Sequence, residues 1–250
     1  MTGRPSALAH WGEIEKRLRG RPPALFLDYD GTLAPIAPRP DLAVLPEPTR
    51  AVLQRLAARL PIAVLSGRDR EDVAALVGLG TLTYAGSHGF DIAGPTLRHQ
   101  VGDGLPHVIA RAAAHLQEAL AGLPGVLVEP KRFAVAVHYR LADEADLPRI
   151  EREVDATAAQ HPELRKAHGK KVFELLPTLD WHKGRALAWL LESLGSPLPI
   201  YIGDDLTDED AFQTVKGKGI GILVTEEPRA TAAEYSLRNP EEVREFLEKL

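Results

Sequence analysis

Short apolar runs at 24–27, 62–65, 82–85, 200–202 and 220–224 alternate with segments whose apolar residues recur at helical spacing. This alternation constrains the fold more than any other feature. A strand that reads as continuously apolar must be buried on both faces, which happens in parallel sheets covered by helices on each side. The helical segments are 47–60, with Val52, Leu53, Leu56 and Leu60 on one face, then 71–77, 183–194 and a closing helix at 240–250. Glu241 and Glu242 lie in the first turn of the last one, where they complement the helix dipole. The expected fold class is α/β, with a Rossmann-like parallel-sheet core.

The rhythm breaks in the middle. A helix at 106–120, strands at 126–128 and 133–139, a helix at 148–160 and a strand at 171–175 read as a small α+β unit. The connection at 129–132 has hairpin length. The expected division is a core of 1–100 and 176–250 with an inserted α+β domain at 101–175.

Composition removes whole classes of function. Among 250 residues, 44% are hydrophobic and 26% charged, the balance of a globular chain rather than a disordered one. The 30 Lys and Arg against 35 Asp and Glu leave a net charge of −5, which argues against a nucleic-acid surface. With no Cys, disulfides, thiolate zinc sites and thiol nucleophiles are absent together. No apolar run approaches the roughly 18 residues of a membrane span. Trp11, Glu13 and Glu15 fall where a signal peptide would be apolar. The expectation is a soluble, cytoplasmic protein with neither nucleic-acid nor membrane partners.

The chemistry gathers at strand ends. The run at 24–27 leads into Asp28-Tyr29-Asp30-Gly31-Thr32, and the run at 200–202 leads into Gly203-Asp204-Asp205 and, further on, Asp208. Ligands of open α/β sheets bind outside the carboxyl ends of strands. Residues i and i+2 of an extended segment project to one side, so Asp28 and Asp30 are expected to face the same crevice. Clustered carboxylates repel unless a cation or proton lies between them, and Mg²⁺ suits oxygen donors that leave room for water and phosphate. Helix capping by Asp205 or Thr207 explains only part of the acid cluster. Ser66-Gly67-Arg68 and Lys183-Gly184 add a hydroxyl and an ammonium able to bind phosphate oxygens.

These segments, in this order, resemble the four motifs of the haloacid-dehalogenase superfamily of phosphotransferases. An insertion between the second and third motifs is that superfamily's type C2 cap. Finer matches, Gly86-Ser87-His88-Gly89, Glu129-x-Lys131, His138-Tyr139-Arg140, Phe173-Glu174-Leu175 and the acids through Asp210, resemble the trehalose-6-phosphate phosphatase family. Leu176 and His182 depart from that family's pattern, where a basic residue and an acid or small polar residue are common.

The resemblance implies hydrolysis of trehalose 6-phosphate through an aspartyl-phosphate. Asp28 would be the nucleophile and Asp30 the general acid and base, while Thr32, Ser66 and Lys183 would bind the phosphoryl oxygens. Mg²⁺ would be held by Asp28, the Asp30 backbone carbonyl and Asp204, with Asp205 and Asp208 in support. The substrate would be met by Asp28, Tyr29, Asp30, Arg68, His88 and Gly89 in the core, and by Glu129, Lys131, His138, Arg140 and Glu174 in the cap. A functional pairing with a trehalose-phosphate synthase would follow. Phosphatases of sucrose phosphate or glycosyl-glycerate phosphate, and a non-catalytic phospho-sugar sensor, remain alternatives. Trp11, Trp181 and Trp189 read as packing anchors.

Overall fold

The computed structural model describes residues 3–37, 39, 42–169 and 171–250. The chain opens with α1 (Trp11–Leu18), β1 (Pro23–Leu27), α2 (Glu47–Ala57), β2 (Ile62–Leu65), α3 (Arg70–Val77), β3 (Thr83–Gly86), β4 (Asp91–Ala93) and β5 (Arg98–Gln100). It continues through α4 (Leu105–Ala119), β6 (Leu127–Lys131), β7 (Ala134–His138), α5 (Leu147–Gln160), β8 (Leu164–Gly169) and β9 (Val172–Pro177). It closes with α6 (Lys183–Ser193), β10 (Leu198–Gly203), α7 (Glu209–Val215), β11 (Ile220–Val224), β12 (Tyr235–Leu237) and α8 (Pro240–Glu248). Two compact units result: Met1–His99 with Trp181–Leu250, and Gln100–Asp180.

The first unit is built on a sheet of order β12-β11-β10-β1-β2-β3-β4-β5. From β12 to β3 every pairing is parallel. β4 then returns antiparallel to β3. Alternate strand residues sort into two cores. Leu25, Leu27, Ile200 and Ile202 face Val52, Leu56, Val73, Val243 and Phe246 of α2, α3 and α8. Ala24, Phe26 and Tyr201 face Ala186, Leu190, Phe212 and Val215 of α6 and α7. The chain leaves β1 for β2 on one side and meets β10 on the other, so the crossover direction reverses at the β1–β10 seam. At such a switch point the carboxyl ends of adjacent strands frame a crevice.

Trp11 packs edge-on against Phe246 at 5.6 Å and His99 stacks on Trp189 at 4.4 Å, so these two indoles serve as packing anchors. No helix among the described residues is long and apolar enough to cross a membrane.

The second unit is a four-stranded antiparallel sheet of order β6-β7-β9-β8. Its buried face carries Val135, Val137, Phe173 and Leu175, packed with Ile150, Val154 and Leu116 of the two helices. Two expectations change here. The pairing of β6 with β7 runs on through Glu129↔Ala136 and Lys131↔Ala134, so Glu129 and Lys131 belong to a strand rather than to a hairpin connection. Pro130 is compatible because β6 is an edge strand, where a missing N–H costs no ladder bond. The polar strand β8 had no apolar signature, and β9 extends past 175 to Pro177.

Candidate active site

Parity along β1 places the first acid. Residues 24, 26 and 28 continue one face, and Asp28 is only 5% exposed, on the side of α6. The first residue of α6 is Lys183, itself buried, whose ammonium lies 2.7 Å from Asp28 Oδ1 and 2.7 Å from Asp208 Oδ1. The Asp28 N–H donates to the Ile202 carbonyl at 2.9 Å, which ties the end of β1 to β10.

The same parity corrects the assignment of Tyr29. Its side chain lies in the opposite core with Leu25 and Leu27, and its hydroxyl donates to the Ala43 carbonyl at 2.7 Å. The phenol oxygen is therefore a core group, while the ring lies 5.5 Å beneath the Arg68 guanidinium. Nor do Asp28 and Asp30 share one partner. Ladder pairing stops at Leu27, and the chain turns where the Tyr29 carbonyl accepts from Leu33 N and Ala34 N, each at 2.9 Å. Asp30 is thereby carried to Arg68, which binds it through Nε at 2.7 Å and Nη2 at 2.6 Å. That pair holds the Arg68 guanidinium above its ordinary pKa.

Asp208 is the organising acid. Its Oδ1 accepts from Lys183 and from the Tyr201 hydroxyl at 2.5 Å, and its Oδ2 accepts from the backbone of Asp204 and Asp205, each at 2.9 Å. Asp205 in turn caps the short helical turn Leu206–Asp208 by accepting from Leu206 N, the capping role for which Thr207 was the other candidate. With its lone pairs used, Asp208 supports the loop, and the open carboxylates are those of Asp28 and Asp204. Tyr201 had no place among the expected site residues, because its apolar strand neighbours disguise a polar tip. Gly31, at φ 78°, lets the loop pass Asp204 where a Cβ would overlap that carboxylate.

Electrostatics follow from burial. Burial pushes the Asp28 carboxyl well above its usual range; Lys183 offsets part of this, and Asp208 and Asp204 add to the rise. Burial and Asp208 likewise raise Asp204 to about 6. Burial opposes the Lys183 charge, but Asp28 and Asp208 outweigh it and hold the ammonium above its ordinary value. Carboxylate oxygens of Asp28, Asp204 and Asp208 come within 4.8 Å of one another. Three acids against one ammonium leave a negative excess, and hard oxygen donors in that arrangement suit a hard divalent cation.

The remaining candidates divide. Thr32 is fully buried and its hydroxyl finds no hydrogen-bond partner among the described residues, an arrangement that costs about 1–3 kcal/mol unless a ligand oxygen completes it. Ser66, also buried, accepts from Arg68 N at 3.1 Å. Ser87 and His88 both adopt left-handed backbone angles, φ 49° and 57°, and the His88 imidazole lies against Gly67. Such angles in non-glycine residues collect at functional sites. Gly89 is buried where a Cβ would overlap Ala186, so packing against α6 requires its small size. In the second unit, ladder register puts Glu129, Lys131, His138 and Glu174 on the sheet face opposite the helices. Glu129 meets His138 Nε2 at 2.8 Å, Lys131 lies 3.9 Å from Glu174, and Arg140 is exposed just beyond β7.

A family profile described as trehalose-phosphatase matches residues 26–241, which include all of these positions. The chain belongs to the trehalose-phosphatase family. It is 43% identical to "Probable trehalose-phosphate phosphatase D" of Arabidopsis thaliana, across 100% of this chain and 73% of that protein. It is 46% identical to a trehalose-phosphate phosphatase of Mycolicibacterium paratuberculosis, across 93% of this chain and 63% of that one. Among solved structures, a trehalose-6-phosphate phosphatase of Aspergillus fumigatus superposes with a TM-score of 0.71 at 27% identity, covering 99% and 98% of the two chains. In fold the chain is also similar to a haloacid dehalogenase-like hydrolase of Bacteroides thetaiotaomicron, with a TM-score of 0.65 at 16% identity, covering 92% and 99% of the two chains.

Proposed function

We infer that this chain hydrolyses trehalose 6-phosphate to trehalose and inorganic phosphate through an aspartyl-phosphate on Asp28. The observation that carries the reading is the buried Lys183 ammonium bridging Asp28 and Asp208. An ammonium in that place aligns one carboxylate for attack and draws phosphoryl oxygens toward it.

In the first step a carboxylate oxygen of Asp28 attacks phosphorus, the bond from phosphorus to the sugar oxygen breaks, and that oxygen takes a proton from Asp30. In the second, Asp30 takes a proton from water as the water oxygen attacks phosphorus. The acyl-phosphate bond then breaks, releasing phosphate and restoring Asp28. Lys183, Ser66 and the orphan hydroxyl of Thr32 bind the nonbridging oxygens. Phosphate monoester hydrolysis calls for up to ~10²¹-fold acceleration, about 29 kcal/mol, of which general acid–base help gives about 10²–10⁴. The larger share therefore falls to the nucleophile and the cationic surroundings.

Mg²⁺ fits the donor set. The Asp28 and Asp204 carboxylates and the Asp30 backbone carbonyl would hold it, with Asp208 and Asp205 fixing the loop. When bound it neutralises charge on the carboxylate and phosphoryl oxygens. Glu129, Lys131, His138, Arg140 and Glu174 are assigned to the sugar hydroxyls, and His88 to the substrate from the core.

Phosphate release across trehalose 6-phosphate, sucrose phosphate, glycosyl-glycerate phosphate and glucose 6-phosphate, with added Mg²⁺, tests the reading. Trehalose 6-phosphate should give the highest kcat/KM. Turnover of another member with none for trehalose 6-phosphate would reassign the substrate.

A further inference from the structure

Tyr201 stands in β10 between Ile200 and Ile202, which face the other core, and it is entirely buried. Its ring meets Phe212 of α7 edge-on at 5.4 Å, packing that a phenylalanine would supply equally well. Its hydroxyl goes elsewhere. It donates to Asp208 Oδ1, the oxygen that also accepts the Lys183 ammonium, while Oδ2 is held by the Asp204 and Asp205 backbone. The donors approach from β10, α6 and the loop after β10, so together they fix the rotation of this carboxylate. Removing one leaves it free to turn toward the others, and any turn shifts both the ammonium beside Asp28 and the backbone that carries Asp204.

We propose that Tyr201 is a positioning residue: through Asp208 it sets where the Lys183 ammonium and the Asp204 carboxylate stand relative to Asp28. The inference rests on the phosphatase reading above. Groups that orient the direct ligands of a metal commonly govern 10–100-fold in affinity or activity, which sets the scale of the effect.

Tyr201→Phe removes one oxygen and keeps the ring. Its kcat on trehalose 6-phosphate is expected to fall about tenfold, and its Mg²⁺ affinity, read by calorimetric titration without substrate, to weaken about tenfold. In an Asp208→Asn background the same change should have little further effect on Mg²⁺ affinity, because residues acting through one group are not additive. The proposal is overturned if Tyr201→Phe lowers only the melting temperature, or if its full effect on Mg²⁺ affinity persists with Asp208→Asn. A weakened Mg²⁺ titration beside a wild-type protein inert on trehalose 6-phosphate would support the positioning role and fail the substrate reading alone.

Discussion

Arg68 holds both carboxylate oxygens of Asp30 in a two-pronged pair, at 2.7 and 2.6 Å, while its guanidinium lies 5.5 Å above the Tyr29 ring. The fork keeps both Asp30 oxygens accepting, the form that takes a proton from water in the second step, and one oxygen must leave the guanidinium to carry the proton of the first. Lysine keeps the charge but cannot reproduce that geometry. Arg68→Lys is expected to lower kcat about tenfold, less than the 10²–10⁴ expected for Asp30→Asn, since removing the acid forfeits the whole of its contribution. Steady-state kinetics of the two variants decides it, and an Arg68→Lys enzyme with unchanged kcat would detach the fork from turnover.

Gly31 leaves no room for a side chain beside Asp204. Alanine there would bear about 1–2 kcal/mol of left-handed strain and would also push the Asp204 carboxylate aside. Gly31→Ala should therefore weaken Mg²⁺ binding in calorimetry by more than its loss of thermal stability suggests. Normal affinity in that variant would show that the carboxylate has room to yield.

Asp204 links pH to stability. Its carboxyl titrates at about 6 in the folded chain without metal, against an ordinary value of 3.8. Between those values the folded chain holds a proton that the unfolded chain has released, so this group's contribution is full below 3.8 and is lost as pH rises through about 6. As pH rises from about 4 to about 6, metal-free Asp204→Asn should thus gain melting temperature relative to wild type, at roughly 2–4 °C for each 1 kcal/mol. An offset that does not change with pH would place the carboxyl at its ordinary value.

Glu129 and His138 share a face of the antiparallel sheet, 2.8 Å apart. A site that pairs with hydroxyls discriminates strongly, because a substrate lacking them leaves its polar groups unmatched. Glu129→Ala is expected to reduce kcat/KM for trehalose 6-phosphate far more than for p-nitrophenyl phosphate. Equal losses on both would remove Glu129 from sugar recognition.

Asp28, Asp204 and Lys183 were legible in the sequence because apolar runs or a helix start deliver each of them to one end of a parallel sheet. Tyr29 was misplaced for want of parity: as the partner of Leu25 and Leu27 it belongs to the other core. The different partners of Asp28 and Asp30 depend on where the ladder stops, which a run of apolar residues does not mark. Strand β8, with Arg165, Lys166 and His168, is held by pairing to β9 and carries no apolar alternation to announce it. Tyr201 was hidden for a related reason, since a phenol inside Ile200–Ile202 reads as core until its oxygen is seen beside Asp208.

The atom that takes the phosphoryl group defines the mechanism. Wild-type protein mixed with trehalose 6-phosphate and Mg²⁺, quenched in acid within one turnover and digested for mass spectrometry, should carry a phosphoryl group on Asp28 that vanishes in Asp28→Asn together with phosphate release. A phosphoryl group on any other side chain, or undiminished release by Asp28→Asn, would contradict it.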